Sequence, residues 1–446
     1  MNILILGAGE IGVLLASKLI ESNHNITMIE SDPILCKKAN DILDANVIEG
    51  NAGNFELLKS ANLSSIDVLA AVTNNDEVNI LSSIIAKKME VPTVIARVKK
   101  PEYAAKDFPL RDFSYGPDLI IQPEKETARA IVQLVKNTNA TEYYEFEGGK
   151  VKIVGIRIDK HFAHSGIKLN QIGNIIKELP FIVLALIRAE RTVIPKGSDF
   201  ITLGDQIFFI CESVNLSKVL EFFGKATIKN ENVMIVGGAL IGQYVAQGLE
   251  SKFNVKIIEN DYKKTKLLAK NLTKTLIINS DPTDLDVLEQ ENLSGMDEFI
   301  TVTDSDETNI ICSKLAHHNG VPRTITLIKK YDYLKMTSSI GLDSVVSKQV
   351  MTVSTIRQFI QRQKVASYTE ILGLDATVLE LETTTKSKII RKPLMNLDFP
   401  DKSVVGAIIK PNGAVVIPSG LSKIDAKDKV VMFFSPEKQN EIERLF

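Results

Sequence analysis

Residues 1–12, Met1-Asn2-Ile3-Leu4-Ile5-Leu6-Gly7-Ala8-Gly9-Glu10-Ile11-Gly12, decide the fold, because an unbroken aliphatic run passes straight into a glycine turn and then into a helical pattern. A short apolar run bounded by glycine reads as a strand buried on both faces. Gly7, Gly9 and Gly12 fall on the three positions of the G-x-G-x-x-G dinucleotide fingerprint. The first permits a tight turn, the second lets backbone approach a pyrophosphate, and the third lets helix pack closely on strand. The helix read over 11–20 then offers its unpaired N–H groups and the positive end of its dipole to an anion.

Glycines also mark ordinary turns, so the context must carry the motif. Residues 26–30 form a second apolar strand that ends in Glu30, about twenty residues beyond the glycines. A carboxylate there accepts ribose hydroxyls and repels a 2′-phosphate, favouring NAD over NADP. Further strands read at 47–49, 68–72, 93–98 and 119–121, alternating with amphipathic helices. That alternation predicts a doubly wound parallel sheet, whose ligands lie outside the carboxyl ends of its strands. Asn51 and Ala52 follow the third strand, Thr73 and Asn74 the fourth, and Arg97 sits in the fifth, with Lys99 and Lys100 after it. Thr73 and Asn74 can bond the adenosine or a phosphate, and Arg97 can pair a phosphate. Asp76 or Asn75 caps the next helix, read over 77–89, and for Asp76 capping is favoured over a ligand role. A short helix at 102–106 and a longer one at 123–135, opening on proline, complete the unit.

After a polar hinge at 137–141 the glycine turns give way to strands at 151–158, 181–188, 192–195 and 206–211, with one helix at 169–177. This reads as a small α+β module, in which Gly204 and Asp205 form a tight turn into the strand at 206–211. His161 and His164 lie in its loop without an accompanying carboxylate or cysteine cluster, which reads as solvated loop and not as a metal site.

The chain then repeats itself at an offset of about 230 residues, and the fingerprint returns as Gly237, Gly238, Ala239, Leu240, Ile241 and Gly242. Glu30 recurs as Glu259, Thr73 as Thr303, and the pair Asp76 and Glu77 as Asp306 and Glu307; in the small module Ile194-Pro195 recurs as Ile417-Pro418. A unit that long is a duplicated two-domain module and not a solenoid repeat. The expected organisation is a first Rossmann-like domain at 1–136, its α+β subdomain at 142–225, a second Rossmann-like domain at 230–362 and its subdomain at 368–446. Two edits fall at the nucleotide end of the second copy. Ala239 puts a methyl where backbone must approach a pyrophosphate, only partly offset by Gly238, and Leu327 replaces Arg97. The second site is expected to bind nucleotide more weakly, bind a different one, or stay empty.

The chain has 446 residues, a formal charge of −2 and no tryptophan, which sets disorder and nucleic-acid binding aside. Its longest apolar runs are too short to cross a bilayer and its N-terminus reads as core strand, so a cytoplasmic protein is expected. Cys36, Cys211 and Cys312 lack metal-ligand spacing and read as small buried residues in a reducing compartment.

A dehydrogenase needs an acid or base beside the nicotinamide. No such constellation, nucleophile elbow, P-loop lysine or paired metal motif is legible, and each small module is thin for a catalytic domain. Two cofactor folds without reaction residues suggest a sensor. The glycine fingerprint with its acid, the segments Val72-Thr73 and Asp76-Glu77, and the small module with Ile194-Pro195, all duplicated, together with Arg97, resemble the TrkA family. These are regulatory subunits of Trk-type potassium uptake systems, built from duplicated RCK (also called KTN) domains. The resemblance implies a homo-oligomeric ring, a tetramer, beneath a membrane-embedded potassium-translocating subunit, responsive to NAD(H) and to ATP or ADP. It implies Gly7, Ala8, Gly9, Glu10, Ile11 and Gly12 at the phosphates, Glu30 at the ribose, and Asn51, Ala52, Thr73, Asn74 and Arg97 around the remainder. No catalytic and no metal-binding residue is expected. The rival expectation is an NAD-dependent oxidoreductase with a duplicated cofactor fold.

Overall fold

The strands β1 (Asn2–Leu6), β2 (Asn25–Glu30), β3 (Asn46–Glu49), β4 (Val68–Ala71), β5 (Thr93–Arg97) and β6 (Leu119–Ile121) pair in the order β3-β2-β1-β4-β5-β6. Every pairing is parallel, so the sheet is the doubly wound one expected. The computed structural model describes all residues except 106, 110–114, 138–139, 177–178, 189–190, 226–230, 335, 362–366, 372–373, 375 and 391. Side chains alternate between the two faces of each strand. Ile3, Ile5, Met28 and Ile95 face the helix Glu10–Glu21, while Leu4, Leu6, Ile29 and Val94 face Leu58 and Ala86 on the other side. Both faces are covered, which explains why these strands carry no polar alternation.

The chain divides into two compact units, Met1–Ala128 with Ser347–Gln363, and Arg129–Val346 with Lys364–Phe446. The first unit therefore takes in the helix Lys348–Gln361 from the end of the second repeat. Its Val353, Ile356 and Ile360 enter the same core as Ile11, Leu15 and Leu19.

In the second unit β7 (Glu142–Phe146), β8 (Val151–Arg157), β9 (Phe181–Arg188), β10 (Arg191–Val193) and β11 (Gln206–Glu212) form an antiparallel sheet in the order β10-β9-β11-β8-β7. β7 is an addition to the expected strands, and β10 ends before Ile194. The strands β12 (Asn232–Val236), β13 (Asn254–Glu259), β14 (Leu276–Asn279), β15 (Glu298–Thr301), β16 (Thr324–Leu327) and β17 (Ser344–Val346) repeat the first order as β14-β13-β12-β15-β16-β17. β18 (Ser367–Glu370), β19 (Thr377–Glu382), β20 (Ser403–Ile409), β21 (Val415–Val416) and β22 (Lys429–Phe434) form the second antiparallel sheet. The two antiparallel sheets share one core, in which Phe146, Ile153 and Phe208 meet Val378, Ala407 and Phe433. Within the second unit, Val132 of the helix Pro123–Lys136 lies where a Cβ on Gly248 would be 2.8 Å from it, so glycine there admits close helix packing.

Smaller expectations need adjustment. Residues 102–106 hold a 3-10 turn, Pro101–Ala104, and not an α-helix; Lys106 lies outside the described residues. The helix read over 169–177 is Leu169–Ile175, and Lys177 likewise lies outside, as do residues 138–139 of the expected hinge. Among the described residues no helix is long and apolar enough to cross a membrane.

Candidate nucleotide site

The three fingerprint glycines are demanded by different things. Gly7 has φ +105°, a left-handed conformation that side chains rarely adopt, and a Cβ there would lie 3.0 Å from the Thr73 backbone. A Cβ on Gly12 would stand 1.9 Å from the Gly7 carbonyl oxygen. Gly9 has φ −70° and ψ −175°, ordinary extended backbone, and among the described residues its Cβ would meet nothing within 4 Å. The protein's own packing thus explains Gly7 and Gly12 but not Gly9. Gly9 opens onto free space at a helix N-terminus, the cradle that a pyrophosphate requires. The first intrahelical bond there runs from Val13 N to Gly9 O at 2.9 Å, leaving the N–H groups of Glu10, Ile11 and Gly12 without helical partners.

Glu30 closes β2 beside this turn. Its Oε2 accepts the Ala8 N–H at 2.6 Å, and its Oε1 accepts Ser31 N at 2.7 Å and Asp32 N at 3.0 Å. Those bonds orient the carboxylate and leave acceptor capacity for a ribose hydroxyl. Thr73 follows β4, and its hydroxyl donates to Asn79 Oδ1 at 2.6 Å while Asn79 Nδ2 reaches back to Thr73 O and across to Arg97 O. Arg97 Nη1 donates to Thr73 O at 3.1 Å and to Asn74 Oδ1 at 2.9 Å. Desolvation draws the Arg97 pKa down, and the Glu124 and Asp76 carboxylates oppose that shift. Asn51 and Ala52 follow β3, where Asn51 Oδ1 accepts Gly53 N at 2.8 Å and the Ala52 side chain is buried. Among the described residues their hydrogen bonds go to the local turn and to Ser82, not to the glycine turn. Ile11 is a core residue.

Asp76 does not cap the helix. The cap is Asn75, whose Oδ1 accepts Val78 N at 2.9 Å. Asp76 is the first helical residue, buried, and its carboxylate accepts Lys99 N at 3.0 Å and Lys100 N at 2.8 Å, fixing the loop after β5. An aspartate in a first helical turn looks like a cap in sequence, and only the return of that loop shows its use.

The second copy keeps this frame. Gly237 has φ +105°, a Cβ on Gly242 would lie 1.9 Å from Gly237 O, and Ala239 has φ −69° and ψ −177°. Glu259 accepts Gly238 N at 2.7 Å and Asp261 N at 2.9 Å. Thr303 donates to Asn309 Oδ1 at 2.7 Å, and Asn309 Nδ2 reaches Leu327 O at 3.0 Å. Leu240 and Ile241 open the helix in the places of Glu10 and Ile11. The expectation that Gly238 partly offsets Ala239 fails on geometry. A Cβ on Gly238 would lie 2.5 Å from Leu268 and 3.1 Å from Glu259, so its room is already filled by Leu268, which stands where the first copy has Ala39. The loss of Arg97 is also not a bare deletion. Lys329 Nζ donates to Asp304 O at 2.9 Å and Asp304 Oδ1 at 2.8 Å, in the loop where Arg97 grips Thr73 and Asn74 in the first copy.

Several participants had no site role assigned from sequence. Asn79 and Asn309 are fully buried latches between two strand ends, and their signal was their identical place in both repeats. Glu77, Lys100 and Tyr103 form an exposed triad, with Lys100 Nζ 2.5 Å and Tyr103 Oη 3.2 Å from Glu77 Oε1. Glu307, Lys330 and Tyr333 repeat it at 2.7 and 3.1 Å, and the hydrogen bond from Lys330 leads in holding Glu307 down at about 2. Gln349 donates to Glu10 Oε2 at 2.5 Å, a contact across 339 positions of sequence. The three cysteines are buried, and desolvation pushes Cys211 up to about 12 and Cys312 to about 11, so neither offers a thiolate. His161 Nδ1 lies 3.1 Å from Asp159, and His164 stacks on Phe222 at 5.6 Å.

The TrkA-N domain family matches residues 3–107 and again 233–348. The Trk system potassium uptake protein TrkA homolog 2 of Methanosarcina mazei is 30% identical over the full length of both chains. The chain belongs to the TrkA family. The TrkA protein of Vibrio alginolyticus is 29% identical, covering all of this chain and 98% of its own. Among solved structures, the crystal structure of the GsuK RCK domain matches with TM-score 0.62 at 16% identity, covering 99% of this chain and 94% of its own. The GsuK channel bound to NAD matches with TM-score 0.62 at 16% identity, covering 100% and 78%. At that identity the shared property is the fold, tandem RCK domains, as the TrkA-family chain displays it.

Proposed function

We propose that this TrkA-family chain is the regulatory subunit of a Trk-type potassium uptake system, and that nucleotide bound at its first glycine turn controls transport through a membrane-embedded potassium-translocating partner. The observation that carries the reading is the open space over Gly9, between two glycines that the protein's own packing already requires. NAD(H), with ATP or ADP as competing ligands, would place its phosphates on the N–H groups of Glu10, Ile11 and Gly12, its ribose at Glu30, and its remaining polar groups near Thr73, Asn74 and Arg97. The relatives' names and the NAD-bound RCK neighbour support this. The chain would work as a homo-oligomeric ring, a tetramer, at the inner face of the membrane, and ligand would act by binding two arrangements of its domains unequally. No covalent step is required.

The test is calorimetric titration of NAD, NADH, ATP and ADP into the chain and into Gly9→Asp, which sets a carboxylate against the phosphates. Binding that the substitution abolishes, followed by nucleotide-dependent potassium flux through the reconstituted complex, supports the reading. Flux indifferent to nucleotide rules it out, and substrate-dependent change in nicotinamide absorbance would favour an oxidoreductase.

A further inference from the structure

The helix Lys348–Gln361 comes from the second repeat but lies in the first compact unit, against the helix that begins at the first glycine turn. Gln349 bonds Glu10, the first residue of that helix. The residue before it, Lys348, extends its Nζ to Glu124 Oε1 at 3.3 Å. That is long for a charge-assisted bond, which settles near 2.7–2.9 Å. Glu124 is only 5% exposed, and its Oε2 has no hydrogen-bond partner among the described residues. Arg97, held down by Asn74 on the same rim, likewise has a buried Nε with no partner there. The rim thus carries a buried carboxylate served by one loose ammonium. A lysine ammonium has three donors, and here one is weakly used.

We propose that Lys348 is a phosphate-charge sensor for the first site, supplied by the second repeat and held in reserve by Glu124. This rests on the reading that the first site binds nucleotide. Without ligand the ammonium stays with Glu124, because a buried carboxylate left alone is costly. A terminal phosphate at the turn offers a doubly charged, better-shaped acceptor, and Glu124 and that phosphate compete for one cation. The site then discriminates nucleotides by phosphate charge. The discrimination is made by a helix whose Val353, Ile356 and Ile360 are locked into the first sheet's core, so phosphate charge is reported to an element belonging in sequence to the second repeat.

The competition gives the two partners effects of opposite sign. Calorimetry at fixed ionic strength would titrate adenosine, ADP and ATP into the full chain, Lys348→Gln, Lys348→Arg and Glu124→Gln. Removing one charge-assisted bond corresponds to about tenfold, so Lys348→Gln should weaken ATP by about that factor, with adenosine changed less than about twofold. Lys348→Arg should retain most of the ATP affinity. Glu124→Gln, which frees the ammonium, should tighten ATP. If Lys348→Gln does not fold because Glu124 is left bare, Lys348→Gln with Glu124→Gln replaces it and is compared with Glu124→Gln alone, with the same weakening expected. A purely structural pair would move adenosine and ATP together, and weakening of ATP by Glu124→Gln, or no effect of losing Lys348, overturns the proposal. If the unaltered chain binds none of the three ligands, the nucleotide reading itself fails and the sensor with it. If it binds them and Gly9→Asp abolishes binding while the ATP-to-adenosine ratio ignores Lys348 and Glu124, only the sensor falls.

Discussion

Adding one methyl at Gly9 separates folding from ligand recognition. Gly9→Ala introduces the residue that the second repeat already carries as Ala239, at backbone angles of −69° and −177° against −70° and −175° for Gly9. No backbone strain follows, and the new Cβ meets nothing within 4 Å. Stability should therefore change by no more than about 0.5 kcal/mol, as at an unencumbered surface position. Binding should not survive so easily, because the methyl occupies the approach to the N–H groups of the first helical turn. Losing two charge-assisted bonds at about 1.5 kcal/mol each costs about 3 kcal/mol. That corresponds to an increase in Kd of about 150-fold. Gly12→Ala supplies the contrast. Its Cβ would sit 1.9 Å from Gly7 O where ordinary contact begins at 3.4 Å, so the helix must retreat by about 1.5 Å. Overpacking of that kind costs about 1–3 kcal/mol or more. Thermal unfolding without ligand and calorimetry with NAD read the two effects separately. NAD binding by Gly9→Ala at the original affinity, or destabilisation equal to that of Gly12→Ala, would refute the reasoning.

Two further outcomes follow from the second unit. Desolvation pushes Glu142 up to about 7 from an ordinary 4.5, against hydrogen bonds from Thr141 and Gln206. The folded state then holds this proton more tightly than the unfolded state, so its contribution is complete below about pH 4.5 and is lost as pH rises to about 7, on the order of 3 kcal/mol; denaturant unfolding from pH 5 to 8 should show this slope, and Glu142→Gln should flatten it. Arg323 holds the fully buried Glu298 at 2.7 Å and also bonds Leu134 O and Ala140 O. Arg323→Met should cost about 3–5 kcal/mol by stranding Glu298, while Arg323→Met with Glu298→Leu recovers much of it in the same unfolding assay.

The parallel sheets were legible because strands buried on both faces are written as continuous aliphatic runs, and the glycines between strand and helix mark positions where a side chain collides with backbone. β7 was not legible, since Glu142-Tyr143-Tyr144-Glu145-Phe146 buries only Phe146 fully and carries acids at its start and middle. Asp76 was misassigned because a helix's first turn and a cap share their residue types, and the deciding N–H groups of Lys99 and Lys100 arrive from 23 and 24 positions later. The helix Lys348–Gln361 has an ordinary amphipathic pattern that says what it buries but not against which sheet. Gln349 and Lys348 were therefore invisible as rim residues until the packing placed them there.

The two repeats differ where folding is indifferent, and that pattern bears on the second site more than either edit alone. Positions under steric command are identical: Gly7 and Gly237 at φ +105°, Gly12 and Gly242 where a Cβ would stand 1.9 Å from a carbonyl oxygen, Asn79 and Asn309 bridging the same strand ends. Where a substitution disturbs packing, a neighbour answers it, as Leu268 fills the room that Gly238 leaves. Ala239 has no such answer to give, because among the described residues nothing lies within 4 Å of that methyl's place in the first copy. A methyl there neither relieves nor creates a conflict within the fold, so only a ligand could register it. Lys329 on Asp304 keeps a cation in the loop that Arg97 serves in the first copy, and Glu259 keeps the carboxylate that accepts from the glycine turn. Under the proposed nucleotide reading, the second copy retains its acid and a nearby cation while losing the close approach between them, and the pyrophosphate is the part of a dinucleotide it is expected to hold least well.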